Sequence, residues 1–252
     1  ISDPSNPQFI SALRTSYAAL HTALSSDGNT AFVVDGFYLV SFDITDPALP
    51  KLISYSPMVD NSGIQLTDEE TSPYALVISA DGQRAYIASK GYGLFIFDIS
   101  DSNDMRAIGS IILDSAQNSR FIDSSSGSRL ILSPDETTIY FAIPGVDEGD
   151  SLLWREVGVK VIDVRDPQNL ILVDTIPANS PNAITSSAKG GRLYISNRFH
   201  HDEMGFWRGG GLEVYEAKKQ KLSSDSDTLP YVYYTSSPDS PNSDSFSFKA
   251  TD

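Results

Sequence analysis

The residues of this chain best suited to binding chemistry are two tryptophan-arginine pairs. Trp154 precedes Arg155 and Trp207 precedes Arg208, and these are the only tryptophans among 252 residues. An indole face can stack on a ligand ring, and a guanidinium group donates parallel hydrogen bonds to a carboxylate or a sugar. The pairs therefore predict a ligand-binding role for all four residues. The alternative is that each tryptophan caps its own unit of the fold and each arginine stacks on it, because large aromatic side chains are more often structural.

Histidine and acidic residues near these pairs could hold a metal ion. His200, His201 and Asp202 carry the imidazole and carboxylate groups that bind zinc and other transition metals. Asp147 and Asp150 carry oxygen ligands suited to Ca²⁺, without the spacing of a helix-loop-helix calcium site. These five residues are the predicted metal ligands, and Ca²⁺ is the candidate cofactor. The alternative is a pair of solvated acidic loops, because neighbouring residues on one loop rarely converge on a single ion.

The candidate binding residues lie within an internal sequence repeat, which predicts the strands that hold them in place. Short turns centred on residues 27, 81, 135 and 189 recur at a constant step of 54, and each lies between two apolar stretches. An Asp-Gly turn between apolar runs is typical of a β-hairpin. A third apolar run follows each hairpin, at 38–43, 94–98, 159–163 and 212–216, and a fourth run closes the first three units at 52–55, 107–111 and 170–173. Four strands in each repeat predict an all-β fold, a β-propeller or a segment of one, built from four-stranded antiparallel blades.

Two insertions interrupt the repeat. They lie between the second and third strands of the third and fourth units, at 144–156 and 198–210, and each contains one tryptophan-arginine pair. Corresponding loops of a propeller lie on one face of the disc, so we expect these two insertions to meet there. Loops on a rigid scaffold commonly carry binding residues.

Aspartates close three of the third strands. Asp43, Asp98 and Asp163 each precede a short polar turn. A carboxylate at the end of a strand accepts hydrogen bonds from the next backbone amides, so we predict that these three residues fix turns and have no catalytic role.

The third strand and its turn resemble the LVIVD-repeat family of secreted bacterial β-propellers, in which an apolar strand ends in Asp before a polar turn with Asp-Pro. The copies at 39–47 and 159–167 match this pattern best, whereas the copy at 212–216 ends in Glu216 and lacks the turn. The resemblance covers about residues 1–220. It implies display outside the cell and supplies no established catalytic residues.

Both ends of the chain depart from the repeat. Residues 1–13 match a turn and a fourth strand, so we expect a half-blade there and propeller blades over 1–221. Residues 222–252 are rich in Ser, Asp and Pro, which predicts a linker with short strands, one of them at 230–235. The final residues resemble part of the cadherin-like or immunoglobulin-like repeats of bacterial surface proteins. We therefore expect a piece of a longer polypeptide.

Composition narrows the function. A net charge of −15 disfavours nucleic acid, which requires a positive surface, and the absence of cysteine removes disulfides and thiolate chemistry. No apolar run is long enough to span a membrane. We predict an extracellular or cell-surface module for adhesion or scaffolding that binds a protein or glycan, or itself, through the inserted loops. The alternatives are a propeller-type metal-dependent hydrolase or lactonase and a structural unit of a surface fibre.

Overall fold

Four antiparallel sheets of four strands make up the fold. The computed structural model describes residues 5–66, 73–89, 93–113, 129–143, 158–178, 181–197, 200–201, 207–208, 210–218 and 232–235. In the first three sheets the strands lie side by side in chain order. The predicted all-β propeller architecture is confirmed. None of the described residues belongs to a helix that could cross a membrane.

The strand bounds follow the repeat. The first sheet contains β1 (Ala19–Leu24), β2 (Thr30–Asp35), β3 (Tyr38–Asp43) and β4 (Lys51–Pro57). The second contains β5 (Pro73–Ile78), β6 (Arg84–Ser89), β7 (Gly93–Asp98) and β8 (Arg106–Ile112). The third contains β9 (Leu130–Leu132), β10 (Thr138–Ile143), β11 (Gly158–Asp163) and β12 (Ile171–Ile176). The fourth contains β13 (Pro181–Ser186), β14 (Arg192–Asn197), β17 (Leu212–Lys218) and β18 (Val232–Thr235), and β15 (His200–His201) pairs separately with β16 (Trp207–Arg208).

The four predicted turns are the same structure. In each, the backbone N–H of a serine donates to the carbonyl oxygen five residues later, as Ser25 does to Thr30 at 2.9 Å. The fourth residue of each turn has a left-handed backbone: Gly28, Gly82, Glu136 and Gly190, with φ between 59° and 72°. Only glycine adopts this conformation without a steric cost. Glu136 is held there, and its carboxylate accepts a hydrogen bond from the Ala80 backbone N–H at 2.5 Å.

The aspartates at the strand ends fix turns, as predicted. One carboxylate oxygen of Asp43 accepts the Thr45 N–H at 2.9 Å, and Asp98 and Asp163 make the same contact with Ser100 and Arg165. For Asp43, hydrogen bonds from the Thr45 side chain and backbone hold the pKa below its ordinary value. Three copies of one contact indicate a role in folding.

Neighbouring sheets pack face to face. Successive residues of a strand point to opposite faces, so each sheet presents one apolar set to the sheet before it and another to the sheet after it. Three buried clusters result, one at each junction between consecutive sheets. They include Phe32, Val34 and Leu39 with Ile87, Phe95 and Phe97; Tyr86, Leu94 and Ile96 with Ile139, Phe141 and Ile162; and Tyr140, Val159 and Val161 with Leu193, Ile195 and Tyr215.

The first strands of consecutive sheets lie next to one another. β1 contacts β5, β5 contacts β9, and β9 contacts β13. This is the arrangement of a propeller, in which the first strand of every blade is nearest to the axis.

The structure differs from the sequence prediction at both ends. Residues 8–13 form no strand, because no neighbouring strand in the described part of the chain offers them a ladder. The predicted strand near the other end is present as Val232–Thr235, and it pairs with β17 as the outer strand of the fourth sheet. That sheet therefore extends beyond the predicted boundary at residue 221. The residues that resemble a cadherin-like repeat, 242–252, lie outside the described part.

Candidate functional site

The two long connections leave the sheets at corresponding places. In the first sheet the second and third strands are joined by residues 36–37, and in the second by 90–92. The same connection is 144–157 in the third sheet and 198–211 in the fourth. The third and fourth sheets are packed neighbours. We call the propeller face from which these connections emerge the loop face.

The connection of the fourth sheet contains its own hairpin. His200 lies opposite Arg208 and His201 lies opposite Trp207 in the antiparallel pair β15–β16. At the base of this connection, the backbone N–H of Asn197 donates to the carbonyl oxygen of Gly211 at 2.8 Å. The sequence analysis assigned the histidines to a metal site and the Trp-Arg pair to a ligand site. The backbone places both on the two paired strands of one hairpin.

The other predicted site residues are not placed by the structure. Trp154, Arg155, Asp147, Asp150 and Asp202 all lie outside the described residues. Over the described ranges, no three side chains of the His, Asp and Glu type gather in a position to hold a metal ion. The metal and Ca²⁺ assignments thus stay predictions.

Two buried polar atoms lie at the end of the fourth sheet from which its long connection leaves. Asn182 is the bulged residue between Pro181 and Ala183 of β13, and Pro181 pairs with Asn197, the last residue of β14. The amide oxygens of Asn182 and Asn197 are buried and make no hydrogen bond to any described group. Buried acceptors are satisfied in most proteins, so two at the base of one loop suggest a polar ligand.

A buried aromatic-cation pair occupies the corresponding end of the second and third sheets. Tyr74 is the bulged residue of β5, equivalent to Asn182 in β13. Its ring lies 5.8 Å from the guanidinium carbon of Arg129 and 5.9 Å from the centroid of the Phe141 ring. Burial raises the pKa of the Tyr74 hydroxyl, and the charge of Arg129 opposes that rise. The hydroxyl stays protonated, and it too has no hydrogen-bond partner among the described groups.

The sequence analysis missed Tyr74, Arg129 and Asn182, although the repeat contains a signal for one of them. The step of 54 aligns Arg129 with His21, Ala75 and Ala183. An arginine at a position that otherwise holds alanine or histidine, directly before an innermost strand, marks a local change of chemistry. Tyr74 and Asn182 occupy bulges, which the spacing of apolar residues does not reveal.

These groups have different hydrogen-bonding capacities. The amide oxygens of Asn182 and Asn197 accept hydrogen bonds and the Tyr74 hydroxyl donates one. The chemistry favours recognition of hydroxyl-bearing or amide-bearing groups.

Comparison with known proteins supports the propeller fold and identifies one copy of the repeat. Residues 74–111, the second sheet, match the LVIVD repeat. This is the second unit, whereas the sequence analysis judged the first and third copies the best matches. Comparison with curated protein sequences found no match.

Solved structures resemble the chain at low identity. A Bacteroides uniformis protein with the provisional name 6-phosphogluconolactonase is 18% identical with a TM-score of 0.52, over 74% of this chain and 52% of that protein. Hydrazine synthase of Kuenenia stuttgartiensis is 16% identical with a TM-score of 0.52, over 82% of this chain and 48% of that one. The β-propeller domain of Cps50 (Swd1) from Myceliophteria thermophila is 14% identical with a TM-score of 0.51, over 87% of this chain and 62% of that one. The chain is thus a β-propeller in fold, and it spans about half the length of the first two structures.

Proposed function

We propose that the protein is a non-catalytic binding or scaffold module that acts outside the cell, at a cell surface, and recognises a glycan or a protein through the loop face. The resemblance to secreted propellers and the net charge of −15 support an extracellular location. Binding on loops held by a rigid sheet is a common use of such scaffolds.

The hairpin of the fourth sheet carries this proposal. It places Trp207 and Arg208 opposite His201 and His200. Its connection begins after Asn197, whose amide oxygen is buried and has no hydrogen-bond partner among the described groups. A tryptophan and unfilled hydrogen-bond acceptors are groups suited to a sugar ring, which offers an apolar face and hydroxyl donors.

The decisive measurement is binding of the purified chain to an immobilised glycan microarray, followed by titration of the best glycan. We expect Trp207→Ala to weaken binding by roughly tenfold or more, since buried aromatic anchors dominate interface energies. Circular dichroism and thermal unfolding would verify that the variant is folded.

A matched control is Tyr55→Ala, because Tyr55 is 39% exposed on the outer strand of the first sheet. Binding should survive that change. Equal loss in both variants, or no loss in Trp207→Ala, would contradict recognition by the loop face.

A lactonase is the second candidate, favoured by the fold similarity to the Bacteroides uniformis protein of that provisional name. It would hydrolyse a sugar lactone with a metal bound by loop residues that include His200 or His201. Hydrolysis of glucono-δ-lactone that is abolished by a chelator and by His201→Ala would establish it in place of the binding module. Equal rates with and without the chain would remove it.

A further inference from the structure

A carboxylate lies at a position of the fourth sheet that is buried in the other three. The same register position of the third strand holds Val40, Phe95 and Lys160 in the first three sheets, and all three residues are buried. In the fourth sheet it holds Glu213, which is only partly buried. Glu213 lies near the end of the sheet from which the connection 198–211 leaves, so its carboxylate is placed at the loop face.

The Tyr215 hydroxyl lies between this carboxylate and a second acceptor. Its oxygen is 2.6 Å from Glu213 Oε2 and 2.8 Å from the carbonyl oxygen of Pro177, the residue that follows β12. Burial raises the pKa of Tyr215, and the hydrogen bond and the charge of Glu213 raise it further, so the hydroxyl stays protonated. A phenol has one proton and can fully satisfy only one of the two oxygens. The other oxygen can accept a hydrogen bond from an additional donor.

A third acceptor lies on the same face of the fourth sheet. Ile195 pairs with Glu213, so Asn197, two residues further along β14, is a diagonal neighbour of Glu213 at about 7–8 Å. Ile195 and Tyr215 belong to the apolar cluster between the third and fourth sheets, and alternate residues of a strand share a face. The amide oxygen of Asn197 is buried and has no hydrogen-bond partner among the described groups.

We call these three groups the acceptor cluster: the Pro177 carbonyl oxygen, the Glu213 carboxylate and the Asn197 amide oxygen. It lies between the bases of the two long connections, because Asn197 precedes 198–211 and Val159, which follows 144–157, belongs to the same junction between sheets. All three groups accept hydrogen bonds, and one of them carries a negative charge.

The ligand group that complements three acceptors is a primary ammonium. It has three N–H donors and one positive charge, whereas a hydroxyl has a single donor and no charge. Hydrogen bonds to charged groups are also stronger than those between neutral groups. The net charge of −15 attracts a cationic ligand to the chain as a whole.

We propose that the acceptor cluster binds the primary ammonium group of an amino sugar, with Glu213 as the residue that determines specificity. This inference rests on the proposed recognition of a glycan by the loop face, and it names the class of sugar. N-acetylation of the amine removes the charge and two of the three N–H donors, so the acetylated sugar should bind more weakly.

Calorimetric titration with two matched oligosaccharides tests the inference. One is a tetramer of β-1,4-linked glucosamine, and the other is the same tetramer with every amine acetylated. We expect the amine form to bind at least about tenfold more tightly, the value of one charge-assisted hydrogen bond. Glu213→Gln should abolish this difference, because glutamine keeps the size of the side chain and an acceptor for the Tyr215 hydroxyl but has no charge.

The matched control is Glu216→Gln, because an acidic protein attracts any polycation. Glu216 is exposed on the same strand, β17, and its replacement makes the same change in net charge. This variant should keep the preference for the amine form. Equal weakening in both glutamine variants would show general attraction to an acidic surface and would overturn the inference.

Asn197→Asp provides a variant with the opposite expected effect. Aspartate is close to asparagine in shape and would add a second carboxylate to the acceptor cluster. We expect the amine tetramer to bind several-fold more tightly and the acetylated tetramer to bind no better. Unchanged affinity for the amine form in this variant, with its fold verified by circular dichroism, would contradict the assignment.

The failure of this inference can be told apart from the failure of glycan binding itself. Equal affinity for the two tetramers, with both lost in Trp207→Ala, would overturn the inference and leave recognition by the loop face intact. If neither tetramer binds, the inference is wrong, and the glycan microarray decides separately whether the loop face recognises another glycan.

Discussion

At the scale of single residues, the hairpin turns differ at one position that can be tested. In the first three turns a serine hydroxyl donates to an aspartate two residues later, as Ser79 does to Asp81 at 2.5 Å. The fourth turn has Ser187 but Lys189 in place of the aspartate. Ser187 Oγ already accepts the Arg192 N–H at 3.0 Å, as in the other turns.

We expect Lys189→Asp to stabilise the fold by about 0.5–1 kcal/mol, the net value of a typical hydrogen bond. The new carboxylate can accept hydrogen bonds from the Ser187 hydroxyl and from the backbone N–H of Gly191, as Asp27 does from Ser25 and Asn29. Urea unfolding at pH 7 measures the gain in the free energy of unfolding. Lys189→Glu is the control, because it makes the same change of charge with a side chain too long for this turn. Equal effects of both variants would show that charge and not the turn is responsible.

At the scale of elements, one glycine sets the distance between two sheets. Gly109 of β8 lies beneath the Pro167 carbonyl oxygen, and no side chain fits between them. Gly109→Ala should destabilise the protein by about 2 kcal/mol, as overpacking of an interior commonly does. Thermal or urea unfolding would measure this loss.

The matched control is Gly191→Ala, because an added Cβ at Gly191 meets no atom within 4 Å. That variant should be close to wild type in stability. If Gly109→Ala were equally stable, the Pro167 carbonyl oxygen would not constrain the spacing of the second and third sheets.

The elements that the sequence predicted correctly are those whose local chemistry decides their structure. The turns at 27, 81 and 135 were recognisable because a serine, an aspartate and a left-handed residue fix one backbone conformation. A strand at 8–13 was predicted from the same kind of pattern and is not formed, since a strand requires a partner that its own residues cannot supply. The outer strand Val232–Thr235 was recognised as a strand, but its composition gave no sign of which sheet it joins.

The candidate site was predictable only in part, for a similar reason. Unusual residue types such as Trp207 and the paired histidines were visible in the sequence, whereas their register on one hairpin depends on how the connection folds. The buried amide oxygen of Asn182 is a property of a bulge and of burial, neither of which has a signature in a single sequence.

At the scale of the whole molecule, acid should unfold this protein although acid also reduces its net charge. Eight described aspartates have a pKa below the ordinary value; for Asp81 the largest cause is the hydrogen bond from Ser79, while burial opposes the shift. The eight are Asp27, Asp43, Asp60, Asp81, Asp98, Asp101, Asp135 and Asp163. A folded pKa below the unfolded one means that the unfolded chain binds more protons.

The stabilisation that these aspartates contribute should therefore be fully present above about pH 4, near the pKa of an aspartate in the unfolded chain. It should be lost as the pH falls through the lower pKa values that the aspartates have in the folded protein. Between pH 7 and the pI of about 4.4 the net charge falls from −15 to zero, which relieves repulsion and acts in the opposite direction. Below that pH the chain is net positive, and the growing repulsion adds to the loss of stability. We expect the hydrogen-bonded carboxylates to dominate, because each lies within its own turn whereas the repulsion is spread over the surface and screened by salt. Urea unfolding between pH 2.5 and 6 in 0.15 M salt measures the balance. Ser79→Ala should reduce the difference between pH 6 and pH 3, since it removes the largest cause of the Asp81 shift. A stability that rises as the pH falls from 4 to 3 would contradict the prediction.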